Sequence, residues 1–156
     1  MRTILPISAF LAAIIAAAPV GADPNTDQIA AHRAHERYVE AINANSVDQI
    51  MAVVTDDIVY LAPNTPEVVG RAAVRGWLQA YFTAYKASWQ KTSLEFVVVG
   101  DWAFERYGYK SVDTPTAGGN AVTDTGSGIN IYHRDTDGIW RVARDAWATA
   151  QPVPGS

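Results

Sequence analysis

Thr125–Thr149 reads TGSGINIYHRDTDGIWRVARDAWAT, and its pattern decides the fold. Ile129, Ile131 and His133 alternate with Asn130 and Tyr132 at period two, which is strand spacing. Asp135-Thr136-Asp137-Gly138 follows as a turn, with Gly138 free to take positive φ. Ile139 to Trp147 is the returning strand. Together they predict a β-hairpin. Asn130 and Asp145 interrupt what would otherwise be an apolar face, so this hairpin is expected to form the back wall of a pocket.

Working outward, the remaining strands precede the hairpin and the helices come earlier still. Leu94 to Gly100 and Trp102 to Val112 read as strands, joined to the hairpin by a loop containing Asp113-Thr114-Pro115 and Ala117-Gly118-Gly119-Asn120. Helix spacing appears over Arg71 to Tyr85, where Val74, Trp77, Leu78, Tyr81, Phe82 and Tyr85 share a face. A short strand is expected over Ile58–Ala62, stopped by Pro63. Ser46 and Gln49 form a capping-box pattern ahead of a short helix over Val47–Val54, which Thr55-Asp56-Asp57 ends. The first helix is expected over Gln28–Ala44, with Ala31, Ala34, His35, Tyr38 and Ile42 on one face. Helices first and a strand meander after them predict an α+β domain, helices packed on one face of an antiparallel sheet.

The 156 residues suit one domain, and 49% of them are apolar. Arg2, the apolar run Ile4–Ala18 and Val20-Gly21-Ala22 match a cleavable signal peptide over residues 1–22. A retained anchor is the other reading of that run. The expectation is therefore a secreted or periplasmic domain over residues 23–150, with a flexible tail at 151–156 and no stable membrane anchor after cleavage. There is no cysteine, so stability must come from the core and thiol chemistry is excluded. Net charge is −4 with no basic stripe, which argues against nucleic-acid binding.

Arg37-Tyr38-Val39-Glu40-Ala41, Ser46-Val47-Asp48-Gln49-Ile50, Thr55-Asp56-Asp57, Val69-Gly70-Arg71 and Asp137-Gly138-Ile139-Trp140-Arg141-Val142 carry a family likeness. In their order and spacing the chain resembles the NTF2-like superfamily, in particular its SnoaL-like and DUF4440-type members and the ketosteroid isomerases. The resemblance implies a cone-shaped half-barrel with three N-terminal helices on a curved, mostly antiparallel sheet, often dimeric through its outer face. It sets Tyr38 at the isomerase's helix-one tyrosine, Asn130 at its late-strand acid and Trp147 at a pocket aromatic. Ala62 stands at the position of the isomerase's base and cannot carry a proton, which argues against that mechanism as such.

The candidate ligand-binding residues are Tyr38, Tyr60, Ala62, Gly128, Asn130, Asp145 and Trp147. Tyr38 and Asn130 could donate to a ligand oxygen, or could simply be satisfied within the core and the sheet. Gly126 and Gly128 share the Asn130 face, leaving room for a ligand or allowing a tight bend. Asp145 faces the same way as Trp147. It could act as acid or base in an aromatic cavity, or pair with Arg106, Arg141 or Arg144. Tyr60 reads as inward packing. His133 is expected on the outer face, and Asp56 and Asp57 with Arg71 read as structural. The H-x-x-H-E spacing of His32, His35 and Glu36 fits no zinc motif, so no metal and no cofactor is expected.

Two functions follow. One is a binding module for a small apolar or cyclic ligand. The other is an acid–base isomerase, dehydratase, cyclase or epoxide hydrolase in which Tyr38, Asn130 and Asp145 are catalytic. A sheet with apolar residues on both faces (Val97, Val99, Trp102, Phe104) also predicts a homodimer.

Overall fold

The computed structural model describes residues 24–151. Residues 1–23, over which a signal peptide is expected, and residues 152–156 of the expected tail lie outside the described residues. The order of elements is α1 (Pro24–Asn43), α2 (Val47–Val53), β1 (Val54–Leu61), β2 (Val68–Val69), α3 (Arg71–Ala84), β3 (Tyr85–Val99), β4 (Trp102–Pro115), β5 (Val122–Arg134) and β6 (Trp140–Thr149). The six strands form one curved sheet in the order β2-β1-β6-β5-β4-β3, and the helices cover one face. No helix among the described residues is long and apolar enough to cross a membrane.

Local chemistry accounts for the elements. Pro24 opens α1, where its missing N–H costs nothing. Ser46 caps α2 by accepting from the Gln49 N–H at 3.3 Å. Gly138 turns the β5–β6 hairpin at φ 79°, and Ile139 N–H donates to Asp137. Tyr38, Ile50, Met51, Ile58, Val74, Tyr132, Trp140 and Val142 make the core between helices and sheet. Burying each large side chain contributes roughly 1.5–3 kcal/mol.

The sheet is mostly antiparallel, as expected, with one parallel pair, β1 beside β6. Three strand boundaries need correction. The first strand begins at Val54 rather than Ile58, so Thr55-Asp56-Asp57 is strand and not helix end. Most consequentially, β3 begins at Tyr85, directly after α3, and not at Leu94. Its first half hides its alternation, because its inward row includes Lys91 and Ser93. A register shift at Leu94 then changes which residues face inward. The strand before the last loop likewise runs on to Pro115.

The edge of β3 is closed by two side chains from the α1–α2 turn. Asn43 donates to the Trp89 carbonyl at 2.9 Å and accepts from its N–H at 2.7 Å. Asn45 does the same to Ala87, at 2.9 and 2.7 Å. A strand edge that could pair with another chain is thereby satisfied, and Trp89 and Lys91 are fixed beneath α1.

Candidate functional site

Strand alternation lines up one inward row: Glu105 on β4, Asn130 on β5 and Asp145 on β6 are direct cross-strand partners. Tyr60 on β1 pairs with Asp145 from the other side. Tyr38 reaches the row from the buried face of α1, Tyr107 from β4 and Lys91 from β3. The register therefore converges groups that are far apart in sequence.

Asp145 is the hub. Its Oδ2 accepts from the Tyr38 hydroxyl at 2.8 Å and from Lys91 Nζ at 3.1 Å, and its Oδ1 accepts from the Tyr107 hydroxyl at 2.7 Å. Lys91 also donates to Asn130 Oδ1 at 3.1 Å. Its ammonium lies 4.0 Å from the Tyr107 ring centre and 4.9 Å from that of Tyr38. The Lys91 side chain is only 1% exposed. Burial lowers its pKa, while the negative charges of Asp145 and Glu105 oppose that shift. Burial first, and then the charge of Asp145, pushes the Tyr38 and Tyr107 hydroxyls far above the usual tyrosine range, so both stay protonated donors. Tyr60 is pushed up chiefly by burial as well. Its hydroxyl is 2.9 Å from that of Tyr38, whose single proton can serve Tyr60 or Asp145 but not both at once.

Behind this hub lies a second polar cluster. Glu105 accepts from Tyr132 at 2.6 Å and contacts His35 Nδ1 at 2.9 Å. That nitrogen is 2.9 Å from both carboxylate oxygens, but only Oε2 meets it at hydrogen-bonding angles, and Oε1 has no directional partner. Burial pushes the Glu105 carboxyl up, but the hydrogen bonds from His35 and Tyr132 outweigh it and hold the group below the usual range. Asn130 Nδ2 also lacks a partner. Flipping the amide would set two donors, Nδ2 and Lys91, against each other, so the oxygen faces the lysine.

In front of Asp145 opens a cavity of about 260 Å³. Tyr38, Tyr60 and Asp145 line it together with Trp77, Trp89 and Trp147. Trp147 packs edge-on against Trp77, Trp89 and Tyr60 at 6.3, 6.1 and 5.9 Å between ring centres. Tyr81, Phe82 and Ala62 also line the space, with Asp113 and Asp124.

Of the residues expected around the ligand, Tyr38, Tyr60, Ala62, Asp145 and Trp147 line this cavity, while Asn130 and Gly128 do not. Asn130 is fully buried behind it, with its oxygen committed to Lys91. The glycines leave no room for a ligand: a Cβ at Gly128 would strike the Tyr107 ring at 2.5 Å, and one at Gly126 the Tyr109 ring at 2.7 Å. They are small so that β4 tyrosines can lie across them. The partner of Asp145 is Lys91 and none of the three arginines, since Arg106 pairs with Glu95, Arg141 with Asp135 and Asp137, and Arg144 with Asp57. His35 turns inward to Glu105, and His133 lies on the outer face with its ring tilted against that of Trp102, 4.4 Å between centres. Arg71 pairs with Asp56 at 3.5 Å. Among the described residues, no group of three or more His, Cys, Asp or Glu is placed to hold a metal. Lys91, Tyr107 and the carboxylates of Asp113 and Asp124 escaped the sequence reading. Alternation carried back from Phe96 and Val98 turns Thr92 and Gln90 inward, and only the register shift at Leu94 brings Trp89 and Lys91 to the core side.

The SnoaL-like domain family matches residues 35–146. The chain belongs to this SnoaL-like family. Solved structures agree with it on the fold. A ketosteroid isomerase-like protein from Erwinia carotovora atroseptica is 23% identical, with 82% of this chain and 99% of that one covered and a TM-score of 0.76. A protein described as a candidate dehydratase of the NTF2-like family from Streptomyces avermitilis is 18% identical, covering 83% and 100%, with a TM-score of 0.72. An NTF2-like superfamily protein from Salmonella enterica is 11% identical, covering 85% and 97%, with a TM-score of 0.71. No curated protein matches the sequence. The SnoaL-like fold thus accounts for the cone of helices and sheet, while the lysine-bridged carboxylate is a feature of this chain's own residues.

Proposed function

We propose that this SnoaL-like domain is an exported binding module that holds a small cyclic molecule in the aromatic cavity. One observation carries the reading: the Asp145 carboxylate and the Tyr38 and Tyr60 hydroxyls stand together among three tryptophans in a cavity. Asp145 uses three of its roughly four acceptor sites on protein donors, which leaves about one for a ligand hydroxyl or N–H. Screening steroids, terpenoids and small aromatics by thermal shift tests this. A hit whose stabilisation is lost in Trp147→Ala supports the cavity, and a hit indifferent to that change would place binding elsewhere. Export rests on the Arg2, Ile4–Ala18, Ala22 pattern, and the mature protein should begin near Asp23 by mass spectrometry. Self-association as a C2 dimer rests on Trp102, Phe104 and Ile129, exposed on the outer sheet face, and sedimentation at tens of micromolar would test it.

Acid–base catalysis is a second reading, favoured by the Asp145–Lys91 pair next to the cavity. Asp145 would take or give the proton, with Tyr38 as the adjoining donor. The isomerase and dehydratase names of fold neighbours point the same way, by analogy of fold alone. Asp145→Asn should then abolish turnover while a ligand still binds.

A further inference from the structure

The cavity has a charge character that the fold alone does not require. Its lining includes three carboxylates, Asp113, Asp124 and Asp145, and no lysine, arginine or histidine among the described residues. Asp145 is compensated from behind by Lys91. The other two are not compensated in that way, because the hydrogen bonds they accept come from neutral groups. Asp113 accepts from the Tyr81 hydroxyl at 2.6 Å. Asp124 accepts from the Tyr109 and Thr149 hydroxyls at 2.7 and 2.6 Å and from the Thr125 N–H at 2.8 Å. Both therefore project negative potential into a space walled by ring faces.

One layer deeper, the protein shows what such surroundings hold. The Lys91 ammonium is enclosed by the Tyr107, Tyr38 and Trp89 rings at 4.0, 4.9 and 5.9 Å, with Asp145 beside it. The cavity repeats that combination with Trp77, Trp89, Trp147 and Tyr81 as rings and Asp113 and Asp124 as anions, but it supplies no cation. We propose that the cavity receives the cationic end of a small organic molecule, a protonated amine or a quaternary ammonium on an apolar body. This rests on the reading of the cavity as a binding site. Ring quadrupoles and carboxylates both attract such a group, and a partly dehydrated cavity strengthens each attraction. Burial pushes the Asp113 carboxyl up, Tyr81 opposes the shift, and the like charge of Asp124 adds to it. A bound cation would relieve that repulsion. The same charges exclude carboxylate and phosphate ligands.

A matched pair of ligands tests the charge separately from the cavity: (4-hydroxymethylphenyl)trimethylammonium and its neutral isostere, 4-tert-butylbenzyl alcohol. Titration calorimetry on the wild type should show the cation binding about tenfold more tightly. Asp113→Asn keeps an acceptor oxygen for Tyr81, and Asp124→Asn keeps one for Thr149 while Tyr109 loses its own; each should weaken the cation severalfold and the alcohol much less. Raising salt on the wild type should weaken only the cation, which gives a readout independent of any variant's folding. Equal affinity, or tighter binding of the alcohol, would overturn the inference while leaving the cavity reading intact. Binding of neither compound would count against both.

Discussion

Glu105 and Asp145 flank Asn130 in one inward row, yet their surroundings differ. Each accepts a tyrosine hydroxyl. Glu105 is fully buried against α1, where His35 is its other hydrogen-bond partner. Asp145 takes a lysine ammonium from behind and faces a cavity in front. A carboxylate sealed on all sides can hold elements together, but it cannot meet a ligand. The Asp145 end of the row has an opening, and the aromatic side chains gather there. The difference assigns structure to one end of the row and recognition to the other.

The comparison is broken most severely at Lys91. Lys91→Met should cost about 3–5 kcal/mol in urea unfolding, because it leaves Asp145 buried without its cation. The double variant Lys91→Met/Asp145→Asn should recover about 0.5–3 kcal/mol relative to the sum of the single losses. Full additivity would mean that the pair is not coupled.

Glu105→Gln should cost less, roughly 1–3 kcal/mol at neutral pH, since neutral hydrogen bonds remain possible. Its signature is in the acid limb. The folded pKa of Glu105 lies below its unfolded value, so its contribution is complete above the unfolded value, near 4.3, and is lost as pH falls through the folded one. Urea midpoints from pH 7 down to 3 should therefore fall less steeply in Glu105→Gln than in the wild type. Lys91 acts with the opposite sign and in an alkaline window. Its folded pKa is depressed, so its unfavourable contribution shrinks as pH rises from the folded value towards the unfolded one, near 10.4.

Removing one hydroxyl should be milder still, about 1 kcal/mol for Tyr132→Phe or Tyr107→Phe. Only Tyr107→Phe should also alter ligand affinity. The smallest perturbation needs no variant. Tyr38, Tyr60, Tyr81, Tyr107, Tyr109 and Tyr132, six of the seven tyrosines, have hydroxyls raised above the ordinary range, mainly by burial. Absorbance at 295 nm should show these six hydroxyls still protonated in the native protein near pH 11, ionising only on alkaline unfolding.

The helix face of Tyr38 and the terminal hairpin were legible because their periodicity is plain, and the hairpin register correctly set Asn130 and Asp145 inward. Lys91 was not legible. A lysine in a polar stretch of strand reads as solvated, and only pairing with β4 reveals its burial. The glycines misled for a related reason. A missing side chain shows that space exists, but the occupants, Tyr107 and Tyr109, come from a neighbouring strand whose register no local pattern specifies. Asp113-Thr114-Pro115 carries turn-forming residues, which hides that β4 runs on through it and sets Asp113 beside the cavity.

The central claim is that ligand recognition belongs to the Asp145 end of the row. The five tryptophans test it directly, because Trp77, Trp89 and Trp147 line the cavity whereas Trp102 lies on the outer face and Trp140 in the core. Indole N–H resonances of 15N-labelled protein should be followed during titration with the first small cyclic compound that raises the melting temperature. The account predicts saturable shifts at Trp77, Trp89 and Trp147, with Trp102 and Trp140 still. Shifts confined to Trp102 or Trp140, or five unmoved indoles in a protein the compound stabilises, would contradict it.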